Sequence, residues 1–188
     1  MIVELRQYPL RPGTADGFVA LFDTHFVESQ EEVGIQVLGM FRDRADPDRF
    51  VWMRAFPDMA SRRAALEAFY LAPAPAWREH RTAANAAIAD SDDVLLLTPE
   101  PGWSLPDLVA RPPVGATEVP SSVVTVTVWP GRVDLGVPAL VTAEVVNDFP
   151  ALAVRDDKVT VAIGPHPPTD ATPLQVLHLD PTPRSVLR

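Results

Sequence analysis

The sequence predicts an α+β fold: a ferredoxin-like βαββαβ unit over residues 1–98, followed after a linker by a mostly-β segment over residues 122–188. Two observations lead to this division. In the first half, apolar residues alternate in some stretches and recur at helical spacing in others, in the order strand, helix, strand, strand, helix, strand. Six of the 21 prolines lie in residues 1–98 and 15 lie after them. Because proline is costly in helices and central strands, the second half is predicted to consist mostly of strands and loops.

The first strand is predicted over residues 2–9, where Val3 and Leu5 share one face and charged or aromatic residues share the other. A helix is then predicted over residues 14–33, because five apolar or aromatic side chains fall on one helical stripe. That stripe consists of Phe18, Leu21, Phe22, His25 and Phe26.

Two further strands are predicted over residues 36–44 and 49–57, joined by a turn-rich connection. A second helical region is predicted over residues 58–90, with a break at the proline-containing residues 72–75. A fully apolar strand over residues 94–98 completes the unit. Right-handed crossovers place the first and third strands side by side in the middle of a four-stranded antiparallel sheet.

One face of this sheet is expected to pack on both helices, and the other is expected to meet a second sheet. We assign the charged and aromatic face to the second sheet, because so many aromatic side chains would not be left in water. The cavity between the two sheets is then the predicted ligand site. Its predicted lining from the first unit consists of Glu4, Arg6, Tyr8, Phe50, Trp52, Arg54 and Phe56, together with Leu38, Met40 and Arg42.

Three stretches of the first half carry a family resemblance. They are Val3-Glu4-Leu5-Arg6-Gln7-Tyr8 with the following Arg11-Pro12-Gly13, Gly39-Met40-Phe41 with residues 50–59, and Phe69-Tyr70 with Trp77-Arg78-Glu79-His80-Arg81. Together they resemble the NIPSNAP family, and they span nearly all of residues 1–98. The resemblance implies a dimeric α/β-barrel fold, often built from two tandem units. It implies no established reaction and no agreed catalytic residues.

Residues 122–188 are interpreted as a degenerate repeat of the same unit without its helices. Four apolar stretches resemble the strands of the first unit, and they lie at residues 123–131, 139–146, 158–164 and 174–181, after a Pro-rich linker over residues 99–121. The connections between these strands are too short or too rich in proline for packed helices. The back of the second sheet is therefore predicted to be polar or to be covered by another chain. A homodimer or a larger homo-oligomer is expected, also because edge strands favour pairing.

The arginine and aromatic side chains of the predicted cavity suit a small aromatic or anionic molecule, because guanidinium groups pair with carboxylates and phenolates and stack on rings. In this hypothesis Arg6 and Arg54 hold the negative charge of the ligand. His25 or His80, each on an apolar helical stripe, acts at the rim as a catalytic base. The alternative is that Glu4 pairs with Arg6 or Arg54, that the aromatic residues fill an interface, and that both histidines are structural.

Composition and motifs exclude several classes of protein. The net charge of −9, without a basic stripe, argues against nucleic acids and anionic membranes as partners. The chain has no cysteine, no histidines at metal-ligand spacing and no glycine-rich nucleotide-binding motif, so we expect neither a metal nor a cofactor. No signal peptide or bilayer-length apolar run is visible, and a cytoplasmic protein is expected.

Two functions are compatible with these features. The first is a cofactor-independent monooxygenase, cyclase or isomerase that acts on an aromatic, polyketide-like substrate in bacterial metabolism. It rests on an analogy of fold, because α/β-barrels of this type host such enzymes. A bacterial source with a GC-rich genome is inferred because Lys158 is the only lysine among 16 basic residues. The second function is a non-catalytic binding or scaffold protein, which the loss of both helices from one unit favours.

Overall fold

Eight antiparallel strands close into one barrel in a computed structural model of the protein. The strands are β1 (Ile2–Pro9), β2 (Gln36–Asp43), β3 (Arg49–Phe56), β4 (Val94–Pro99), β5 (Val124–Pro130), β6 (Leu140–Thr142), β7 (Val159–Ile163) and β8 (Gln175–Pro181). Around the barrel they follow the order β1-β3-β2-β8-β5-β7-β6-β4, and β4 pairs with β1. The structure describes residues 1–71, 74–106, 108–165, 167 and 169–188.

The helices of these described residues all lie in the first half of the chain. The first helical region comprises α1 (Ala15–Leu21), a π-helical turn (Phe22–Phe26) and α2 (Val27–Glu31). The second comprises α3 (Met59–Leu66), another π-helical turn (Glu67–Leu71) and α4 (Pro75–Ala87). The break predicted at residues 72–75 falls partly outside the described residues. None of the described helices combines the length and the apolar composition needed to cross a bilayer.

The first half has the predicted topology. β1 and β3 pair in the middle, β2 lies beyond β3, and β4 lies beyond β1, which is the strand order of a ferredoxin-like unit. The predicted α+β class and ferredoxin-like unit are therefore confirmed. A β-bulge between Val37 and Gly39 shifts the register of β2 against β3. Because the bulge reverses the alternation of side chains, Leu38 packs inside the barrel and Met40 packs on the helix side.

The four strands of the second half follow the order β8-β5-β7-β6, which matches the order β4-β1-β3-β2 of the first half. β2 pairs with β8 and β4 pairs with β6, so one chain closes the whole barrel. Beyond residue 99, the described part of the chain contains no helix. β6 is shorter than predicted, since it covers only Leu140–Thr142, and the chain then leaves the barrel in a long β6–β7 loop.

The barrel interior is mainly aliphatic, with Phe41 among its side chains, and this finding corrects the predicted assignment of the two sheet faces. Val3, Leu5 and Met53 pack inward against Val126 and Leu177 of the second half. The charged and aromatic face, which was expected to meet the second sheet, lies under the helices instead. The physical reason is size, because the interior of an eight-stranded barrel is just wide enough for side chains to fill it. Aliphatic side chains fill this space, and the phenylalanine stripe of the first helical region packs on the aromatic face.

The outer face of the second half is covered in part by its own loops. Trp129 is fully buried there against Leu135 and Ala139. Elsewhere the face is open, with Val176 and His178 both exposed. The homodimer stays a prediction, and because every strand pairs within the barrel, unpaired edges no longer argue for it.

Candidate functional site

A cavity of about 550 Å³ lies between the outer face of β1 and β3 and the helices. Nine of the 20 described residues that line it are aromatic: Tyr8, Phe18, Phe22, Phe26, Trp52, Phe69, Tyr70, Trp77 and Phe149. Polar side chains occur mainly where α4 ends, and they are Asn85, Asp90, Ser91 and Asp92. The volume and the largely aromatic wall are typical of a site for a small molecule.

The π-helical turn of the first helical region positions this wall. Phe18, Phe22 and Phe26 are spaced by four residues, which exceeds the 3.6-residue turn of an α-helix, and the wider π turn keeps them on one face. The ring of Phe22 lies edge-on to that of Trp52 with centroids 4.9 Å apart, and the ring of Phe26 lies 5.6 Å from that of Trp77. These contacts connect the helices to the sheet around the cavity.

A fully buried ion-pair cluster lies on the same face of the sheet. Glu4 and Arg54 are direct cross-strand neighbours in the β1–β3 pair. Oε2 of Glu4 accepts hydrogen bonds from Arg6 Nη1 and Arg54 Nε, both at 2.7 Å. Oε1 of Glu4 accepts a hydrogen bond from Arg62 Nε at 2.6 Å. All four side chains are 0 % exposed, so the sequence-based pairing of Glu4 with Arg6 or Arg54 occurs with both.

This cluster holds more positive than negative charge. Three guanidinium groups face one buried carboxylate, and Arg62 also pairs with Asp148, whose side chain is 24 % exposed, at 2.9 Å. Even with Asp148 counted, three positive charges meet two negative ones. Burial raises the pKa of Glu4, but the guanidinium groups, that of Arg54 most strongly, lower it well below its usual range, so Glu4 is ionised. Among the described residues, the Nη2 atoms of Arg6, Arg54 and Arg62 have no hydrogen-bond partner.

Three side chains connect the cluster to the cavity wall. Tyr8 Oη accepts a hydrogen bond from Arg6 Nε at 2.7 Å, and Gln30 Oε1 accepts one from Arg54 Nη1 at 3.2 Å. Both guanidinium groups pack on the ring of Trp52, with their carbons 5.5 Å (Arg6) and 5.0 Å (Arg54) from the ring centroid. Positive charge therefore lies directly behind the cavity wall.

The β6–β7 loop of the second half contributes to this site. Asn147 Oδ1 and Asp148 Oδ1 accept hydrogen bonds from Arg62 Nη1 at 3.2 and 2.9 Å. Phe149 lines the cavity, with its ring centroid 6.1 Å from that of Tyr70. One wall of the cavity is thus supplied by the second half of the chain, whose described residues form no helix.

His25 and His80, the predicted catalytic bases, stack on each other where the first helical region meets α4. Their ring centroids lie 3.7 Å apart and their planes differ by 21°. Neither belongs to the described residues that line the cavity. Burial, and then the neighbouring His80, lower the pKa of His25, while Glu79 raises it, so His25 is mainly neutral at pH 7. In the part of the chain that the structure describes, no three His, Asp or Glu side chains converge on a metal site.

The six residues predicted to bind a ligand form one contiguous group, but outside the barrel rather than between two sheets. They are Glu4, Arg6, Tyr8, Trp52, Arg54 and Phe56. Tyr8 and Trp52 line the cavity, and the other four lie beside or behind them. Phe56 packs on the guanidinium group of Arg54, at 5.5 Å from the ring centroid.

Sequence reasoning missed Arg62, Gln30 and Asp148. Arg62 shares the buried face of α3 with Leu66, and an arginine on an apolar helical stripe is a signal of a buried ion pair. Gln30 follows Phe26 by four residues, so it extends the stripe of the first helical region. Asp148 comes from a long loop of the second half, and no local pattern marks it.

Solved structures share this fold. A NIPSNAP family protein from Agrobacterium tumefaciens str. C58 is similar over 56 % of this chain and 98 % of its own, with a TM-score of 0.50 and 21 % identity. Another A. tumefaciens protein is similar over 56 % of this chain and 99 % of its own, with a TM-score of 0.50 and 20 % identity. A putative monooxygenase from Lactobacillus acidophilus NCFM is similar over 100 % of this chain and 98 % of its own, with a TM-score of 0.53 and 9 % identity. These identities establish the fold alone, and no curated protein matches the chain.

The family can be assigned from the sequence itself. The sequence model of the NIPSNAP family matches residues 3–101, which is more than half of the chain. The matched range contains β1–β4, both helical regions and the cluster of Glu4 with its three arginines. The resemblance noted in the sequence is therefore confirmed, and the chain belongs to the NIPSNAP family.

Proposed function

We propose that the cavity beneath the helices binds a small aromatic anion. The observation that carries this proposal is an aromatic wall with an excess of buried guanidinium charge directly behind it. The aromatic side chains of the wall favour a ligand with an aromatic ring, because the ring would be buried and would make edge-to-face or offset-stacked contacts with them. The excess positive charge favours a ligand that brings a negative one into a site of low dielectric constant.

Ligand binding accounts for the cluster better than stability does. A buried ion pair is a weak source of stability, because the cost of removing both charges from water offsets their attraction. The cluster of Arg6, Arg54 and Arg62 on Glu4 also leaves three Nη2 groups without partners in the described residues. Buried donors of this kind are costly. An anion in the cavity would be attracted by the excess guanidinium charge across the wall, which gives a reason for the position of the cluster although these donors stay without partners.

The finer alternatives are a cofactor-independent monooxygenase, cyclase or isomerase acting on an aromatic, polyketide-like substrate, and a non-catalytic binding or scaffold protein. A base that acts on the ligand must come within hydrogen-bond reach of it. His25 and His80 are absent from the described cavity lining, so the geometry supports binding better than turnover by these histidines. The putative monooxygenase with the same fold has 9 % identity, which does not transfer its reaction.

We further propose that residues 122–188 are a degenerate copy of the unit in residues 1–98, with residues 99–121 as the linker. The matching strand order of the two halves supports this origin. Because helices form much of the cavity wall, the copy without helices is expected to provide no second cavity of this kind. We therefore expect one ligand per chain.

Calorimetric titration with 4-nitro-1-naphthoate tests the proposed function. We expect one binding event per chain. Ala151→Trp is expected to weaken binding by about tenfold or more, which is a loss of about 1.4 kcal/mol, because Ala151 is an exposed residue of the cavity lining and the indole would occupy the space.

Ala83→Trp is the matched control, since Ala83 is exposed on α4 and does not belong to the described lining. It is expected to leave the affinity unchanged. Absence of binding to the wild-type protein, or equal affinities of the Ala151→Trp variant and the wild type, would contradict the proposal.

A further inference from the structure

We infer that Tyr8 and Trp52 form a pair of hydrogen-bond donors for one negatively charged oxygen of the ligand, with Tyr8 donating through its hydroxyl group and Trp52 through its indole Nε1–H. The inference rests on the proposed function, and it names the two residues that would contact the ligand directly. It also narrows the ligand class to aromatic molecules with an ionised oxygen, such as a phenolate or an enolate. The arginines of the cluster then act from behind the wall and do not themselves touch the ligand.

The hydroxyl group of Tyr8 has a free hydrogen. Its oxygen already accepts a hydrogen bond from Arg6 Nε at 2.7 Å, and among the described residues no acceptor pairs with its own hydrogen. A hydroxyl group that accepts a bond from a cation becomes a stronger donor, because hydrogen bonds in a chain polarise one another. Burial raises the pKa of Tyr8 against the opposing effect of Arg6, so the phenol keeps its proton at neutral pH.

The indole nitrogen of Trp52 is the second unused donor. Nε1–H can only donate, and in the described part of the chain this buried atom has no hydrogen-bond partner. A buried donor without an acceptor carries the full cost of its desolvation, and an acceptor in the cavity would remove that cost. Trp52 lines the cavity, but its Nε1 is closed off from solvent in this structure, so a ligand oxygen reaches Nε1 only after a neighbouring side chain of the wall moves aside.

Positive charge stands behind both donors. The rings of Tyr8 and Trp52 lie 6.0 Å apart, with their planes at 74° to each other. The guanidinium carbon of Arg6 lies 5.4 Å from the centroid of the Tyr8 ring and 5.5 Å from that of the Trp52 ring. Fixed donors backed by fixed charge stabilise an oxyanion more than a neutral oxygen, because they need no reorganisation. Arg6 is accordingly a positioning residue, which acts through Tyr8 and Trp52.

Absorption spectroscopy with 4-nitro-1-naphthol tests the inference, because the anion of this probe absorbs at longer wavelength than the neutral form. On the wild-type protein, the pKa of the bound probe is expected to fall by about one unit or more relative to the free probe. The methyl ether of the probe, which has no ionisable oxygen, is expected to bind at least about tenfold more weakly than the naphtholate.

Tyr8→Phe and Trp52→Phe are each expected to weaken naphtholate binding by about tenfold more than they weaken binding of the ether, and to reduce the pKa shift. Phe69→Leu is the control, since Phe69 lines the cavity without a polar atom and its loss should weaken both probes equally. Because Tyr8→Phe and Trp52→Phe are tested separately, a folding defect in one variant leaves the other informative. Circular dichroism checks that each variant is folded.

An unshifted or raised pKa of the bound probe overturns the inference, as does an ether that binds as tightly as the naphtholate. If 4-nitro-1-naphthoate still binds and Ala151→Trp still blocks it, the proposed function survives that result. If no aromatic probe binds the wild-type protein, both proposals are overturned.

Discussion

Glu4→Gln is expected to lower the free energy of unfolding by about 3–5 kcal/mol, the usual loss when one member of a buried ion pair is removed. Glutamine keeps the size of the side chain but leaves Arg6 and Arg54 without their buried counter-charge. Arg62 keeps Asp148 as a partner and loses its contact with the carboxylate of Glu4. Urea denaturation at neutral pH measures the difference.

The control for this variant is Glu118→Gln, because Glu118 is exposed. Its effect is expected to stay within about 0.5 kcal/mol.

The free energy of unfolding of the wild-type protein should also fall at acidic pH through a contribution of Glu4 that the Glu4→Gln variant lacks. Since the pKa of Glu4 is lower in the folded than in the unfolded protein, its contribution is complete above about pH 5 and is lost progressively as the pH falls towards the lowered pKa of the folded state. Equal stabilities of Glu4→Gln and the wild type would show that the arginines do not depend on Glu4.

Leu177→Ala is expected to destabilise the protein by about 2–5 kcal/mol, as is usual for a large-to-small change in a packed core. Leu177 is 1 % exposed and packs in the barrel interior against residues of the first half. The neighbouring residue on β8, Val176, is 40 % exposed on the outer face. Val176→Ala is therefore the matched control, and its effect is expected to be within about 0.5 kcal/mol. Denaturation curves that show equal losses for the two variants would mean that the β8 face assignment is wrong.

The topology of the first half could be predicted from the sequence because local patterns determine it. Alternation over β1 and the helical stripe from Phe18 to Phe26 identify their elements without knowledge of the partners. The choice between the two faces of β1 could not be made in this way. Both faces of β1 are buried, so the apolar character of Val3 and of Tyr8 indicates burial for each of them equally. Only the diameter of the closed barrel decides which of the two side chains points inward.

The candidate site could be predicted only in part. Tyr8 and Trp52 of the predicted binding residues line the cavity, whereas its location and the contributions of Arg62, Gln30 and Asp148 could not be predicted. Charged and aromatic residues alternate with aliphatic ones on β1 and β3, which groups Glu4 with Arg54 and Tyr8 with Trp52. The contribution of Asp148 depends on where a long loop of the second half lies, and a distance of 86 positions along the chain separates it from Arg62. Local sequence patterns do not predict a contact between residues so distant in the sequence.

Tryptophan fluorescence in the Trp103→Phe/Trp129→Phe double variant tests the location of the site most directly. Trp52 and Trp77 line the cavity, whereas Trp103 packs against the barrel-interior cluster and Trp129 lies in a separate cluster of the second half. The double variant keeps both cavity tryptophans. We predict that 4-nitro-1-naphthoate quenches its fluorescence with the same midpoint as in the wild type. Loss of the quenching in this variant, with wild-type fluorescence still quenched, would place the ligand elsewhere and contradict the account.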